Sequence, residues 1–251
     1  MSSKRDTKRV VAIPDLHFPL HNQRALGAVE AFMEDFKPDF VIYPGDQLQM
    51  DPVSHWLTDK RRVLEGQRLF KDYDGFNAIL DRHQQIAPHA QFVFIHGNHE
   101  DWVQQYCDIH PETEGFLEVD RNLRLHERKF TVIPFGGIYR IGLLSYIHGV
   151  YTNEHHSKTT ALAYRRNVRY GHTHDVQYYT ATSPVDVEDR ISAASIGCLC
   201  NVNPHYMRHK PNRWQHGFNV AYIRHDDKFN DYTVQIIEGR FIWNGKEYGK
   251  V

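Results

Sequence analysis

Apolar residues in the first hundred positions switch between two spacings, and each switch marks a new element. Residues 10–13 form an unbroken apolar run that stops at Pro14, as expected of a strand covered on both faces. Leu26, Val29, Phe32, Met33 and Phe36 then recur three and four apart, which predicts a helix over 24–36 closed by Lys37-Pro38-Asp39. A second buried strand is predicted at 40–43. Phe70, Tyr73, Phe76, Ile79 and Leu80 repeat the helical spacing over 69–86, with Pro88 beyond, and 92–95 reads as a third strand. Strand, helix and strand in alternation imply a parallel sheet.

From about Phe130 the spacing changes. Short β-rich runs at 131–135, 138–141 and 143–147, separated by glycines, predict an antiparallel stretch. A short helix is expected at 157–165, with His155 and His156 on its exposed side, and strands at 168–170, 191–196, 219–223 and 232–237. Residues 242–246 read as a hairpin on the Asn244-Gly245 turn. The stretch 50–66 has weak periodicity and reads as a loop near the site or the carrier of a short helix. One domain over 10–251 is expected, with 1–9 a flexible tail and 200–251 a β-rich completion or cover.

Composition narrows the class. The 251 residues are 41% apolar and 24% charged, enough for a sizeable core, and the net charge is −1. That balance excludes a partner held mainly by bulk charge, whether nucleic acid or membrane. No apolar run reaches transmembrane length and no signal peptide is evident, so a cytoplasmic protein with no membrane partner is expected. Cys107, Cys198 and Cys200 lack zinc-finger spacing and are expected to be reduced thiols.

Five polar clusters follow the predicted strands: Asp15-Leu16-His17, Gly45-Asp46, Gly97-Asn98-His99-Glu100, His148-Gly149 and Gly171-His172-Thr173-His174. Each alone is an ordinary turn. Together they offer two carboxylates, one amide and four imidazoles, about what two divalent cations need if one carboxylate is shared. Mixed oxygen and nitrogen donors suit hard or borderline ions. His99 is surplus to the ligand set and free to meet a substrate.

In these clusters and their order the chain resembles the calcineurin-like metallophosphoesterases, from about Val10 to His174. The resemblance implies a four-layer α/β/β/α sandwich of two mixed sheets flanked by helices. It implies one metal on Asp15, His17, Asp46 and His174, a second on Asp46, Asn98, His148 and His172, and two divalent ions, manganese preferred over iron, zinc, nickel or magnesium. The implied activity is phosphoester hydrolysis, a metal-bound hydroxide attacking phosphorus in line while His99 contacts the phosphate or protonates the departing oxygen. Many relatives carry an acid three residues past the bridging Asp, orienting the counterpart of His99. This chain has Gln49 there, leaving Gln49, Asp51 or Glu100 for that task. The chain lacks the Asp-Arg-Gly tripeptide of the family's protein phosphatases, which favours a phosphodiesterase acting on nucleotides or nucleic acid. The alternatives are a phosphomonoesterase, a protein phosphatase, or a catalytically retired metal-binding interaction module. Residues 203–217 mix aromatic and cationic side chains and read either as a substrate grip, with Arg208 and Arg213, or as a packed closing loop. The oligomeric state is left open.

Overall fold

Alternate residues of the first strand, β1 (Thr7–Ala12), enter two different cores. Val11 faces a layer of helices, while Val10 and Ala12 face a second sheet. The computed structural model describes residues 7–57, 59–208 and 210–249. In chain order β1 is followed by α1 (Gln23–Phe36), β2 (Phe40–Pro44), α2 (Arg61–Leu64), α3 (Leu69–Ile86), β3 (Gln91–Ile95), α4 (Asn98–Ile109) and α5 (Val119–Asn122). Then come β4 (Thr131–Ile133), β5 (Tyr139–Ile141), β6 (Leu144–Tyr146), α6 (His156–Tyr164), β7 (Asn167–Tyr170), β8 (Val176–Thr182) and β9 (Arg190–Ile196). The chain closes through β10 (Gly217–Arg224), β11 (Phe229–Gln235), β12 (Phe241–Trp243) and β13 (Lys246–Tyr248).

One sheet runs β11-β10-β1-β2-β3-β4 and the other β5-β6-β7-β9-β8. Strands β1 to β4 pair in parallel, as do β6, β7 and β9, with antiparallel partners at the edges. Three apolar cores separate four layers. Val41, Tyr43, Phe92 and Phe94 of the first sheet pack against α1, α3 and α4. Ile42, Val93 and Ile95 meet Leu144, Tyr146 and Ile196 between the sheets. Val168, Tyr170 and Ala193 lie beneath α6 through Ala161. This is the expected α/β/β/α sandwich of two mixed sheets.

Helix α1 shows why the local sequence folds as it does. The Asn22 side chain accepts the Ala25 N–H at 3.0 Å, and Lys37 ends the helix in the left-handed region at φ 50°. Its apolar face centres on Phe32, whose ring meets Phe218, Phe241, Trp243 and Tyr248. Burying such a ring contributes roughly 1.5–3 kcal/mol. The C-terminal residues therefore play two parts: β10 and β11 extend the first sheet, and the β12–β13 hairpin covers α1.

A buried polar network ties the sheets together. Arg169 of β7 is fully buried and forks onto Asp231 of β11 at 2.5 and 2.7 Å. Asn219 of β10 donates to Asp231 and accepts from the Tyr146 hydroxyl, each at 2.9 Å. Among the described residues no helix is long and apolar enough to cross a membrane.

Three expectations need correction. The expected tail 1–9 overlaps β1, which starts at Thr7; residues 1–6 lie outside the described residues. The run at 131–135 is not part of an antiparallel stretch: β4 joins the first sheet in parallel beside β3, and only β5 and β6 form the hairpin. His156 is buried, because Tyr170 and Asp175 supply both its ring nitrogens with partners, while His155 is exposed. Cys107, Cys198 and Cys200 are free buried thiols, as expected.

Candidate metal centre

All five polar clusters sit just past the carboxyl ends of parallel strands, where α/β sheets place their ligands. Strands β1, β2 and β3 of the first sheet lead to Asp15 and His17, to Asp46, and to Asn98. Strands β6 and β7 of the second lead to His148, and to His172 and His174. The seam between the sheets brings these seven together.

They fall into two overlapping sets. Ligand atoms of Asp15, His17, Asp46 and His174 lie within 4.8 Å of one another, and so do those of Asp46, His148 and His172. In the first set His17 Nε2 stands 3.0 Å from His174 Nε2 and 3.8 Å from Asp46 Oδ2, and His174 Nε2 is 3.3 Å from Asp15 Oδ1. In the second, His148 Nε2 is 3.0 Å from Asn98 Oδ1, 3.1 Å from His172 Nδ1 and 3.3 Å from Asp46 Oδ2. Asp46 is the residue common to both.

Outer contacts fix which nitrogens point inward. His148 Nδ1 donates to the Pro44 carbonyl at 2.9 Å, so its Nε2 is the nitrogen turned to the other donors. His17 Nδ1 donates to Gln49 Oε1 at 2.9 Å, with the same result, and Gln49 Nε2 in turn donates to Asp51 Oδ1 at 2.9 Å. Gln49 therefore orients His17 with its side chain, and His99 only through its backbone carbonyl, which accepts the His99 Nδ1–H at 2.6 Å. Neither Asp51 nor Glu100 takes up the orienting role at His99. Glu100 instead accepts the backbone N–H groups of Asp46, Gln47, Leu48 and Gly97 at 2.8–3.1 Å and holds the Asp46 loop against α4. His99 Nε2 remains 3.9 Å from Asp46 Oδ2, beside the cluster.

The donor set suits bound metal on three counts. Asp15 Oδ2 is buried without a hydrogen-bond partner among the described residues, a cost that a cation removes. Second, Asp46 keeps a negative charge inside the cluster that a cation would neutralise. Burial opposes ionisation of Asp46, yet His148 and His99 outweigh it and hold the carboxyl well below its usual range. Burial likewise opposes a proton on His148, but Asp46 lifts its imidazole to about 9, while burial and then His148 push His172 down to about 4. Third, five of the seven donors occupy left-handed backbone: Asp15, His17, Asp46, His172 and His174, at φ 41–68°. Each costs on the order of 1 kcal/mol or more, and such strain gathers at functional sites. Gly171 and Gly97 permit the close approach, since a Cβ would lie 1.8 Å from Asp15 Oδ2 and 2.1 Å from Asp46 Oδ1.

Arg208 and Arg213, proposed from sequence as substrate contacts, are exposed, and Arg213 faces Glu154 at 3.6 Å. Neither is brought against the donor set among the described residues. Trp214 is, with its ring 4.2 Å from that of His174. Sequence reading missed this contact, and the pairing of His156 with Asp175 at 3.0 Å behind the His172–His174 loop. It also missed α4, although Trp102, Val103, Tyr106 and Cys107 carry helical spacing. The stretch 50–66 lies beside the site through Asp51 and carries α2.

Asp72 in the first turn of α3 supplies a check on local electrostatics. Burial and the neighbouring Asp51 raise its carboxyl to about 6, so ionised Asp72 destabilises the fold. The penalty is full above pH 6 and vanishes below its unfolded value of 3.8. Asp72→Asn should therefore stabilise the protein at pH 7 by about 1 kcal/mol, allowing for its half-exposed position, and not at pH 3. Urea unfolding at the two pH values measures this; equal effects at both would contradict it.

No protein-family model matches the sequence, and no curated protein matches it. Among solved structures, Vacuolar Protein Sorting 29 from Cryptosporidium parvum aligns with a TM-score of 0.53 over 98% of this chain and 100% of its own, at 11% identity. A single mutant of Vps29 from Entamoeba histolytica covers 92% of this chain and 94% of its own at 14% identity and TM-score 0.48. Vps29 from Chaetomium thermophilum covers 91% and 97% at 11% identity and TM-score 0.43. The first of these likenesses is one of fold: the chain shares the α/β/β/α sandwich of that structure, and its own buried side-chain clusters could hold metal.

Proposed function

We propose that the chain is a phosphoester hydrolase dependent on two divalent cations, acting on phosphodiesters of nucleotides or nucleic acid. The observation that carries the proposal is the convergence of seven donors in two sets that share Asp46, with His99 beside them. Asp15, His17, Asp46 and His174 would hold one ion, and Asp46, Asn98, His148 and His172 the other. When bound, such a pair supplies an activated water near neutral pH and neutralises charge on the phosphoryl oxygens.

The chain's own groups do the rest. Pro44 and Gln49 hold the Nδ1–H groups of His148 and His17, so that each ring offers Nε2 to a metal that would displace any proton there. Glu100 keeps the Asp46 carboxylate in place through the backbone. His99, with Nδ1–H committed to a carbonyl, turns Nε2 toward the substrate side, where a proton held on it can pass to the departing oxygen. Diester preference rests on the missing Asp-Arg-Gly tripeptide.

A second reading, a retired metal-binding module, draws its support from the fold shared with a protein named for vacuolar sorting. Chelation followed by metal addition separates the two. The hydrolase loses turnover of an aryl phosphodiester on chelation and recovers more of it with Mn²⁺ than with Mg²⁺, because four imidazoles suit the softer ion. A module shows no metal-stimulated turnover at all, and better rescue by Mg²⁺ counts against the donor assignment.

A further inference from the structure

Seven rings make successive contacts, from the exposed Trp56 through two members of the donor set, His17 and His174, to the half-buried Trp214. Centroids lie 4.4 Å apart from Trp56 to His55, 6.0 Å from His55 to Trp102 and 3.9 Å from Trp102 to His99. The row continues 4.5 Å to His17, 4.9 Å to His174 and 4.2 Å to Trp214. Its middle belongs to the candidate centre; its ends do not. Trp56 is 68% exposed, and Trp214 is half-buried.

Both ends carry cations in a chain whose net charge is only −1. Lys60, Arg61 and Arg62 follow Trp56, with Asp59 the acid beside them; Arg208, Lys210 and Arg213 precede Trp214, and no carboxylate occurs from 190 to 225. All six cations are exposed. Flat rings interleaved with cations on either side of a phosphate-directed centre suit a polyanion with planar bases. Bases in a duplex present no face for stacking, whereas those of a single strand do.

We infer that Trp56 at one end and Trp214 at the other stack unpaired bases, so that a single-stranded nucleic acid lies across the candidate centre. This deepens the hydrolase proposal and rests on it for the position of the scissile phosphate. The direct test is binding, with chelator present so that nothing is cut. A labelled oligothymidylate should bind about tenfold more tightly than an abasic strand of equal length, and more tightly than the duplex. Trp56→Ala and Trp214→Ala should each lower that preference and together abolish it, whereas Trp56→Phe and Trp214→Phe retain it. Equal affinity for abasic and base-bearing strands, or no binding, overturns the inference and leaves the rings to another role, such as a protein-docking surface. Metal-stimulated turnover of methyl p-nitrophenyl phosphate is scored separately. Turnover without base-dependent binding sinks only the stacking, and base-dependent binding without turnover sinks only the hydrolase.

Discussion

Asp46→Ala is expected to lower turnover by the proposed hydrolase by about a thousandfold or more and to leave the purified protein with fewer than two bound cations. The size follows from its position: Asp46 is the residue present in both donor sets, so its loss weakens two ion sites at once. Its Oδ1 also accepts the His99 N–H at 3.0 Å, which links the carboxylate to the start of α4. Asp46→Asn separates these duties. An amide oxygen can still accept from His99, and an asparagine tolerates the φ of 50° held by Asp46, but the shared negative charge is gone. Both variants should lose activity, and Asp46→Asn should cost less folding stability than Asp46→Ala. Elemental analysis of the purified variants decides the matter. Two tightly held ions in Asp46→Ala would contradict a shared carboxylate.

His99→Asn should lower the proposed turnover about 10²–10⁴-fold for alkyl diesters, the range expected of a lost general acid. The loss should shrink to about tenfold or less for p-nitrophenyl esters, whose leaving group needs no proton. The structural ground is that His99 is oriented by the Gln49 carbonyl and stacked on Trp102 at 3.9 Å, with Nε2 turned toward Asp46. A backbone carbonyl stabilises an imidazolium less than a carboxylate does. Steady-state rates across a leaving-group series measure the contrast. Equal losses for activated and unactivated esters would remove the proton-donor role and leave His99 as a phosphate contact only.

The donor set is legible in the sequence because ion chemistry demands particular residue types, and strand periodicity dictates where they must fall. Asp15, Asp46 and Asn98 each follow a short apolar run, and the glycines beside Asp46 and His172 advertise backbone crowded against a side chain. Partnership across the fold is not legible. The family resemblance assigns Gln49 to His99, yet its side chain turns to His17, because which ring a glutamine meets depends on loop geometry. β4 fails for a related reason: three residues are too few to show which sheet they join. His156 reads as exposed since a polar residue at a helix start usually is; its partner Asp175 is nineteen positions away. Trp214 cannot be placed against His174 from sequence because its loop has no period at all.

The donors are divided between the two sheets, with Asp15, His17, Asp46 and Asn98 on one and His148, His172 and His174 on the other. Arg169 and Asp231 rivet these sheets at a point well inside the molecule. Chemistry at the seam is thereby slaved to cohesion between layers. A slip of one slab past the other by an ångström or two would part the half-sites while every strand stayed whole.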